Sequence, residues 1–182
     1  MKIISGIYKG RNIDGYNING TRPTMDRVKE SLFATIQNYI PESIVLDLFS
    51  GSGNLAIEAL SQGANSAYAV DNNPIAYKTI KKNIDKIGVK SCQVLKMDYL
   101  LAVKELASKN LSFDIIFLDP PYNTDYIEKS IEYIDKYKLL SEDGIIVCEN
   151  DKKDRIIYPN TYEAIKEKKY GDKWVVILKK VC

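Results

Sequence analysis

The chain has 182 residues, a length that suits one domain able to bury a core of its own. Hydrophobic residues make up 45% of it, charged residues make up 27%, and the net charge is +2, which excludes a fibrous, disordered or strongly charged protein. It contains no histidine and only three cysteines, none in a Cys-x-x-Cys pair, which excludes Ser-His-Asp and Cys-His catalysis and argues against a metal site.

The N-terminal segment is basic and lacks the apolar centre of a signal peptide. No apolar run in the chain approaches the ~18 residues of a membrane span, so a cytoplasmic protein without membrane contact is expected. Three of the four arginines, Arg11, Arg22 and Arg27, fall within the first 27 residues. Arginine suits phosphate recognition, so this arm indicates a nucleic-acid partner, although a solvated basic surface explains the charge equally well.

The first 40 residues are expected to form a small hairpin followed by a helix. Residues 2–5 and 11–14 lie on either side of a glycine-bounded turn and are predicted to pair. From Thr24 onward the apolar residues recur at helical spacing, which predicts an amphipathic helix that ends before Pro41. The apolar positions of this helix are Val28, Leu32, Phe33, Ile36 and Ile40.

From residue 43 onward, short apolar runs alternate with segments of helical period, the pattern of a parallel sheet. Strands are predicted at residues 44–49, 66–70, 91–96, 113–118 and 144–148, and helices at residues 54–62, 74–87, 99–108 and 124–137. Two further runs flank Gly171 and Asp172 too closely for a helix, which predicts a C-terminal β-hairpin. The predicted fold class is α/β: a doubly wound, Rossmann-like, seven-stranded and mostly parallel sheet that ends in an antiparallel hairpin.

A tight glycine turn follows the first predicted strand. The strand ends near Asp47, and Gly51, Ser52 and Gly53 open the next helix. Glycines there allow positive φ and let a ligand approach the backbone at a helix N-terminus. Because ligands of open α/β sheets bind at the carboxyl ends of the strands, this turn is a candidate nucleotide site. A lone Gly-x-Gly can also be no more than a compact turn.

Acidic side chains follow the next two predicted strands. Asp71 ends the second strand, where a carboxylate can accept both hydroxyls of a ribose. Asp98 follows the third strand and could accept from an adenine amino group. Each has an alternative role as a helix cap, and for Asp98 taken alone the cap is the better interpretation.

The fourth strand ends in Asp119, Pro120, Pro121 and Tyr122, the most specific feature of the chain. Two prolines lock φ and remove two N–H donors, so the loop cannot extend the sheet. A carboxylate, a proline carbonyl and an aromatic face are then held together. Such a set can accept both hydrogens of an exocyclic amino group while its ring stacks on the tyrosine. A rigid turn with a packing tyrosine is the alternative.

In this order, the motifs resemble those of class I S-adenosylmethionine-dependent methyltransferases that modify exocyclic amino groups. The segments IISGIYKGR, RPTMDRVKESLF and LDLFSGSGNLAIEALSQGA, together with DPPY, narrow the resemblance to RsmD-like bacterial enzymes that methylate guanine N2 in 16S ribosomal RNA. The resemblance covers essentially the whole chain. Ser50 stands where the family usually has alanine, and Gln62 stands where arginine is common.

The resemblance implies S-adenosylmethionine as the cofactor and 16S ribosomal RNA, within a small-subunit assembly intermediate, as the partner. A monomer without metal is expected, with one domain at residues 1–182, divided into an RNA-binding extension at 1–40 and a catalytic core at 41–182. The catalytic candidates are Asp119, Pro120, Pro121 and Tyr122. The cofactor-binding candidates are Asp47, Phe49, Gly51, Ser52, Gly53, Asp71, Asn72 and Asp98. The candidates for RNA phosphate contacts are Lys9, Arg11, Arg22, Thr24, Arg27 and Lys29, and those for base stacking are Tyr8 and Tyr16.

Three other functions remain open at this point. A nicotinamide-dependent oxidoreductase shares the glycine turn and the strand-terminal acid, but Asp-Pro-Pro-Tyr has no evident task in hydride transfer. A non-catalytic RNA-binding assembly factor could keep the fold without the activity. Methylation of adenine N6 in DNA, or of an amino group in another RNA, would use the same loop on a different substrate.

Overall fold

The computed structural model of the protein describes residues 1–15 and 23–182. Seven strands form one sheet in the order β3-β2-β1-β4-β5-β7-β6. Strand β7 is antiparallel to both of its neighbours, and the pairs among β1 to β5 are parallel. The predicted fold class is therefore confirmed. The strands are β1 Ile44–Asp47, β2 Ser66–Val70, β3 Cys92–Leu95, β4 Phe113–Leu118, β5 Leu140–Asn150, β6 Tyr162–Tyr170 and β7 Lys173–Lys180.

Helices cover both faces of the sheet, because its central strands are apolar on both sides. The first three helices pack on one face, and the other two pack on the opposite face, each with its own buried cluster. Within the described residues, no helix combines the length and the apolar character needed to span a bilayer. The helices are α1 Pro23–Ile36, α2 Asn54–Ser61, α3 Pro74–Ile87, α4 Tyr99–Ser108 and α5 Tyr126–Lys136, with 3-10 turns at Gln37–Tyr39 and Lys153–Arg155.

Element boundaries match the sequence pattern least well at β5. The prediction of residues 144–148 was too short, because β5 begins at Leu140, where it already pairs with Phe113 of β4. The Ser-Glu-Asp-Gly segment that resembles a turn is carried inside the strand, and the ladder between β4 and β5 shifts register there. The C-terminal hairpin is confirmed, and Gly171 has a φ of 57° in its turn.

The N-terminal arm, residues 1–14, is part of the main core. It folds back on itself through a single antiparallel bridge between Lys2 and Asn12, so the predicted hairpin is present in reduced form. Ile3 and Ile13 are buried in the same cluster as Phe33 of α1. The arm therefore packs on the same face of the sheet as α1, α2 and α3.

Candidate active site

Acidic side chains from four neighbouring strands gather at one edge of the sheet. Asp47 ends β1, and Asp71, Asp98 and Asp119 follow β2, β3 and β4. Parallel strands place their carboxyl ends at the same edge, which we call the carboxyl edge. Strand β1 lies between β2 and β4, so the order of the strands reverses here. Such a switch point is where open α/β sheets bind ligands.

The glycine turn at this edge is held in place from both sides. The Gly51 N–H donates to Asp71 Oδ2 at 2.9 Å, and Asn83 Nδ2 donates to the Ser52 carbonyl oxygen at 2.8 Å. Gly53 has a φ of 83°, and a Cβ atom there would lie 3.2 Å from Ile80. The positive φ favours glycine at this position, and a Cβ atom would also make the Ile80 side chain shift. The backbone around Gly51 is presented at the N-terminus of α2, as the sequence predicts.

Asp71 orders the turn instead of capping a helix. Besides Gly51, its carboxylate accepts from the Asn73 N–H at 2.9 Å. Asn73 is the residue that caps α3, since its side chain accepts from the N–H groups of Ile75 and Ala76. Asn72 lies exposed beside Asp71. Both carboxylate oxygens of Asp71 retain acceptor capacity for a ligand.

Asp98 caps α4, which confirms the interpretation that its sequence context favours. Its Oδ1 accepts from the Leu100 N–H at 2.9 Å and from the Leu101 N–H at 3.3 Å. The cap leaves Oδ2 available at the carboxyl edge. A role toward an adenine ring therefore stays a prediction that is compatible with the cap.

Asp47 is a buried carboxyl with one oxygen left without a partner. Ser50 Oγ donates to its Oδ2 at 2.9 Å, and Oδ1 has no hydrogen-bond partner among the described residues. Burial raises the pKa of Asp47 to about 7, against the lowering effects of the Ser50 hydroxyl and of the backbone N–H groups of Phe49 and Ala56. Phe49 points into an aromatic cluster, with ring centroids 5.1 Å from Tyr99 and 6.0 Å from Tyr126. The buried Oδ1 of Asp47, which has no partner among the described residues, suits a cationic ligand group.

The loop after β4 has the rigid form that its prolines predict. Asp119 is half-buried and Pro120 is buried, whereas Pro121 is exposed and Tyr122 is 42% exposed. Thr124 Oγ1 donates to the Pro121 carbonyl at 2.8 Å and closes the turn. A carboxylate and an open aromatic face therefore stand together at the switch point, as the sequence predicts.

Two charged residues that the sequence interpretation missed complete this corner. Lys173, the first residue of β7, places its Nζ 3.9 Å from Asp119 Oδ2 and forms an ion pair with Glu149 of β5. The same Nζ lies 6.0 Å from the centroid of the Tyr122 ring. Because β7 is antiparallel, its first residue lies at the carboxyl ends of β4 and β5. Burial and the charge of Glu149 raise the pKa of Asp119, while the charge of Lys173 lowers it.

The candidates for RNA contacts are divided between the carboxyl edge and the opposite end of the strands. The Ile7 N–H bonds to the Ser61 carbonyl at the far end of α2, and Arg11 donates to the carbonyl of Ile87 at the end of α3. Lys9 and Arg11 are exposed near those contacts, about 12 Å along α2 from the glycine turn. The structure therefore does not bring them together with Asp119.

The remaining candidates for RNA contacts lie elsewhere in the chain, and some lie outside the described residues. Arg27 is exposed on α1, and the nearby Lys29 bonds to Asn54 at the start of α2, so this part of α1 lies near the carboxyl edge. Tyr8 lies beneath the guanidinium of Arg11, whose central carbon is 5.4 Å from the ring centroid. Tyr16, Arg22 and the side chain of Thr24 lie outside the described residues.

Lys29 requires a correction, because it does not face solvent. Its ammonium is buried, forms an ion pair with Glu58 at 2.8 Å, and donates to the carbonyl of Lys2 and to Asn54 Oδ1. No proton of this group is left for a phosphate. The sequence carried a signal for this placement, since Lys29 falls on the same helical stripe as Leu32 and Phe33.

Comparisons with known proteins agree over nearly the whole chain. A family model described as "Conserved hypothetical protein 95" matches residues 1–179. The chain is 39% identical over 184 residues to YlbH of Bacillus subtilis, covering 99% of each protein. It is 36% identical over 166 residues to ribosomal RNA small subunit methyltransferase D of Buchnera aphidicola, covering 91% of this chain and 86% of the relative. The solved structure of yhhF from Escherichia coli superposes with a TM-score of 0.86 at 27% identity, covering 99% of this chain and 97% of that one.

Proposed function

Because the chain belongs to the family described as Conserved hypothetical protein 95, we propose that it transfers a methyl group from S-adenosylmethionine to the exocyclic N2 amino group of a guanine in 16S ribosomal RNA. The Escherichia coli relative that is 30% identical over 151 residues is also named ribosomal RNA small subunit methyltransferase D. The observation that carries the proposal is that Asp119 and the 42% exposed Tyr122 lie in one short loop at the switch point of the sheet.

The residues at the carboxyl edge fit S-adenosylmethionine. The unpartnered buried Oδ1 of Asp47 is suited to the cationic amino group of the methionine portion. The Gly51–Gly53 backbone would contact that portion, Asp71 would accept the ribose hydroxyls, and Asp98 would accept from the adenine ring. When bound, this cofactor supplies an electrophilic methyl group on a sulfonium sulfur.

The loop after β4 would activate and hold the target base. A guanine amino lone pair is delocalised into the ring, so the nitrogen is a poor nucleophile. If Asp119 and the Pro120 carbonyl accept its two hydrogens, they favour a pyramidal nitrogen and stabilise the positive charge that develops there. The methylated cationic amine is acidic and loses its proton to water, so no histidine is needed. Tyr122 would stack on the extruded base and fix its position.

Basic and aromatic side chains next to this corner support an RNA substrate. A cleft of about 630 Å³ lies beside the end of β5 and is lined by Trp174, Lys152, Lys153 and Lys169, together with Asp151 and Asp154. Asp154 of this cleft also lines a second pocket together with Asn123 and Thr124, which follow Tyr122, so the cleft adjoins the loop after β4. We assign the backbone contacts of the RNA near its target to this cleft and to Arg27. Contacts by Lys9 and Arg11 would involve RNA far from the target nucleotide.

The test is transfer of a labelled methyl group to 16S RNA and to partly assembled small subunits that lack the modification. Nucleoside mass spectrometry should recover N2-methylguanosine. Asp119→Asn, which keeps the shape of the side chain, should lower kcat by roughly 10²- to 10³-fold and leave the Kd for S-adenosylmethionine unchanged. Asp125→Asn is the matched control, because Asp125 is exposed in the same region and pairs with Lys129.

The alternative functions predict different outcomes when DNA is also offered as a methyl acceptor and when the binding of a nicotinamide nucleotide is measured beside that of S-adenosylmethionine. Label recovered as N6-methyladenosine would identify adenine as the target base. Binding of S-adenosylmethionine without transfer to any RNA would favour a non-catalytic assembly factor. Tight binding of a nicotinamide nucleotide in place of S-adenosylmethionine would favour the oxidoreductase.

A further inference from the structure

The corner of β4, β5 and β7 holds one lysine between two carboxylates. Lys173 Nζ forms an ion pair with Glu149 and stands 3.9 Å from Asp119 Oδ2. The side chains of Lys173, Glu149 and Asp119 are 24%, 10% and 33% exposed, so water screens this group only in part. We propose that Lys173 is a positioning residue, which Glu149 holds in place, and which keeps Asp119 in the ionised form that can accept hydrogen bonds from the target amino group.

This inference rests on the proposed function and adds residues outside the Asp-Pro-Pro-Tyr motif. A protonated Asp119 would carry an O–H donor where the proposed reaction needs an acceptor. An ionised Asp119 can accept one amino hydrogen while the Pro120 carbonyl accepts the other. The charge state of a single carboxyl group therefore decides whether the corner can hold the target nitrogen.

The surroundings of Asp119 raise its pKa, and the one nearby cation opposes that rise only in part. Strand β5 contributes Glu149, β1 contributes Asp47, the adjoining loop contributes the Tyr122 hydroxyl, and β7 contributes Lys173. Burial is the largest influence that raises the pKa of Asp119, followed by the charge of Glu149, and the charge of Asp47 acts in the same direction. Lys173 is the cation of this set. It is itself held charged, because Asp119 and Glu149 together outweigh the effect of burial and raise its pKa.

Glu149 has two opposing effects on Asp119. Its bond to Lys173 fixes the ammonium at the corner, whereas its own negative charge disfavours a second carboxylate nearby. Two carboxylates that share one lysine carry a net charge of −1. The group should therefore take up one further proton as the pH falls, and the activity should fall as it does so.

The test uses the acidic limb of kcat against pH, with RNA and S-adenosylmethionine both saturating so that the titration of Asp47 does not enter through cofactor affinity. Lys173→Gln removes the cation and should move the midpoint of the limb up by about one pH unit or more. Glu149→Gln removes the competing negative charge and should move the midpoint down. Lys173→Arg restores a cation and should return the midpoint toward that of the wild type.

The midpoint of the acidic limb should move in opposite directions in the two Gln variants, and this distinguishes the proposed role from a merely structural one. Both Gln variants break the same ion pair, so a structural role predicts a loss of kcat in both and no shift of the midpoint in either. Lys179→Gln is the matched control, because Lys179 lies on the same strand and pairs with Asp143 at 3.4 Å, at the other end of β7. That variant should leave the midpoint unchanged.

Shifts in the same direction, or no shift, would overturn the role of Lys173 while the proposed function stands. An active Asp119→Asn variant would instead remove the premise, because the corner would then work without a carboxylate. Circular dichroism and the Kd for S-adenosylmethionine show whether each variant is folded. If Lys173→Gln fails to fold, Lys173→Met takes its place, and an upward shift of the midpoint in this variant but not in Lys179→Gln still decides the question.

Discussion

Lys29 and Glu58 form an ion pair of 2.8 Å in the interior of the protein, with side-chain exposures of 2% and 0%. Lys29 also donates to the Lys2 carbonyl at 2.7 Å and to Asn54 Oδ1 at 2.8 Å, while Glu58 accepts from the Ile4 N–H. The pair thus joins the N-terminal arm, α1 and the start of α2 directly after the glycine turn. Its hydrogen bonds are what make two buried charges tolerable.

Replacing Lys29 by methionine should destabilise the protein strongly. The variant leaves the Glu58 carboxylate buried without its cation, which typically costs about 3–5 kcal/mol of the free energy of unfolding. Urea unfolding followed by circular dichroism measures the change. Lys109→Met is the control, because Lys109 pairs with Glu105 at an exposed site where a pair contributes about 0–1 kcal/mol. Equal losses in the two variants would contradict the structural role of the buried pair.

Two glycines of the arm offer a matched pair of substitutions. Gly6 and Gly10 have φ values of 86° and 81°, so alanine at either position incurs strain of about 1–2 kcal/mol. A Cβ atom at Gly6 would also overlap the carbonyl oxygen of Ser61, whereas nothing lies within 4 Å at Gly10. Gly6→Ala should therefore cost a further ~1–3 kcal/mol in urea unfolding. If Gly10→Ala proves equally costly, the close approach of the arm to α2 is wrong.

Binding of S-adenosylmethionine should weaken as the pH falls through about 7, where burial places the pKa of Asp47. A cationic amino group favours the ionised carboxylate, so protonation of Asp47 opposes binding. Between pH 8 and pH 6 the Kd should rise by about tenfold, as expected for one linked proton. Isothermal titration calorimetry measures it. Asp47→Asn should bind weakly and without this pH dependence, and a Kd that ignores pH in the wild type would contradict the assignment.

The same carboxyl should lower the stability of the ligand-free protein at alkaline pH. Its raised pKa means that the folded state holds the proton more tightly than the unfolded state, so this contribution to stability is present at low pH and lost as the pH rises through about 7. Asp47→Asn should thus have a higher Tm than the wild type at pH 8 and lose that advantage at pH 5. A constant difference in Tm across this range would contradict the shift.

The sequence alone predicts the part of the site that depends on chain order. Once the strands are placed, a parallel sheet puts the residues that follow them at one edge, so Asp71 and Asp119 could be located from local patterns. Lys173 could not, because its approach to Asp119 depends on the register between β5 and β7 and on the direction of β7. Lys29 was misplaced for a different reason: its charge suggested the surface, although its helical position indicated the core.

Trp174 is the sole tryptophan of the chain, so its fluorescence reports directly on the cleft that we assign to RNA. Lys153 lies over its ring, 5.7 Å from the centroid, and a base that stacks there would take the place of the lysine. Titration with a 16S RNA fragment should quench the emission with the same Kd that filter binding gives. Stacking of this kind contributes about 1–3 kcal/mol, so Trp174→Leu should raise that Kd by roughly 5- to 100-fold.

The lysines of the cleft can be tested by the salt dependence of RNA binding. Lys152 and Lys169 are exposed there, and replacing both by glutamine should reduce the slope of log K against log salt by about 2, one for each lost phosphate contact. Lys90→Gln combined with Lys109→Gln removes the same charge at the opposite edge of the sheet and should leave the slope unchanged. An equal reduction in both double variants would mean that the RNA responds to overall charge, and that the cleft beside Asp119 does not direct it.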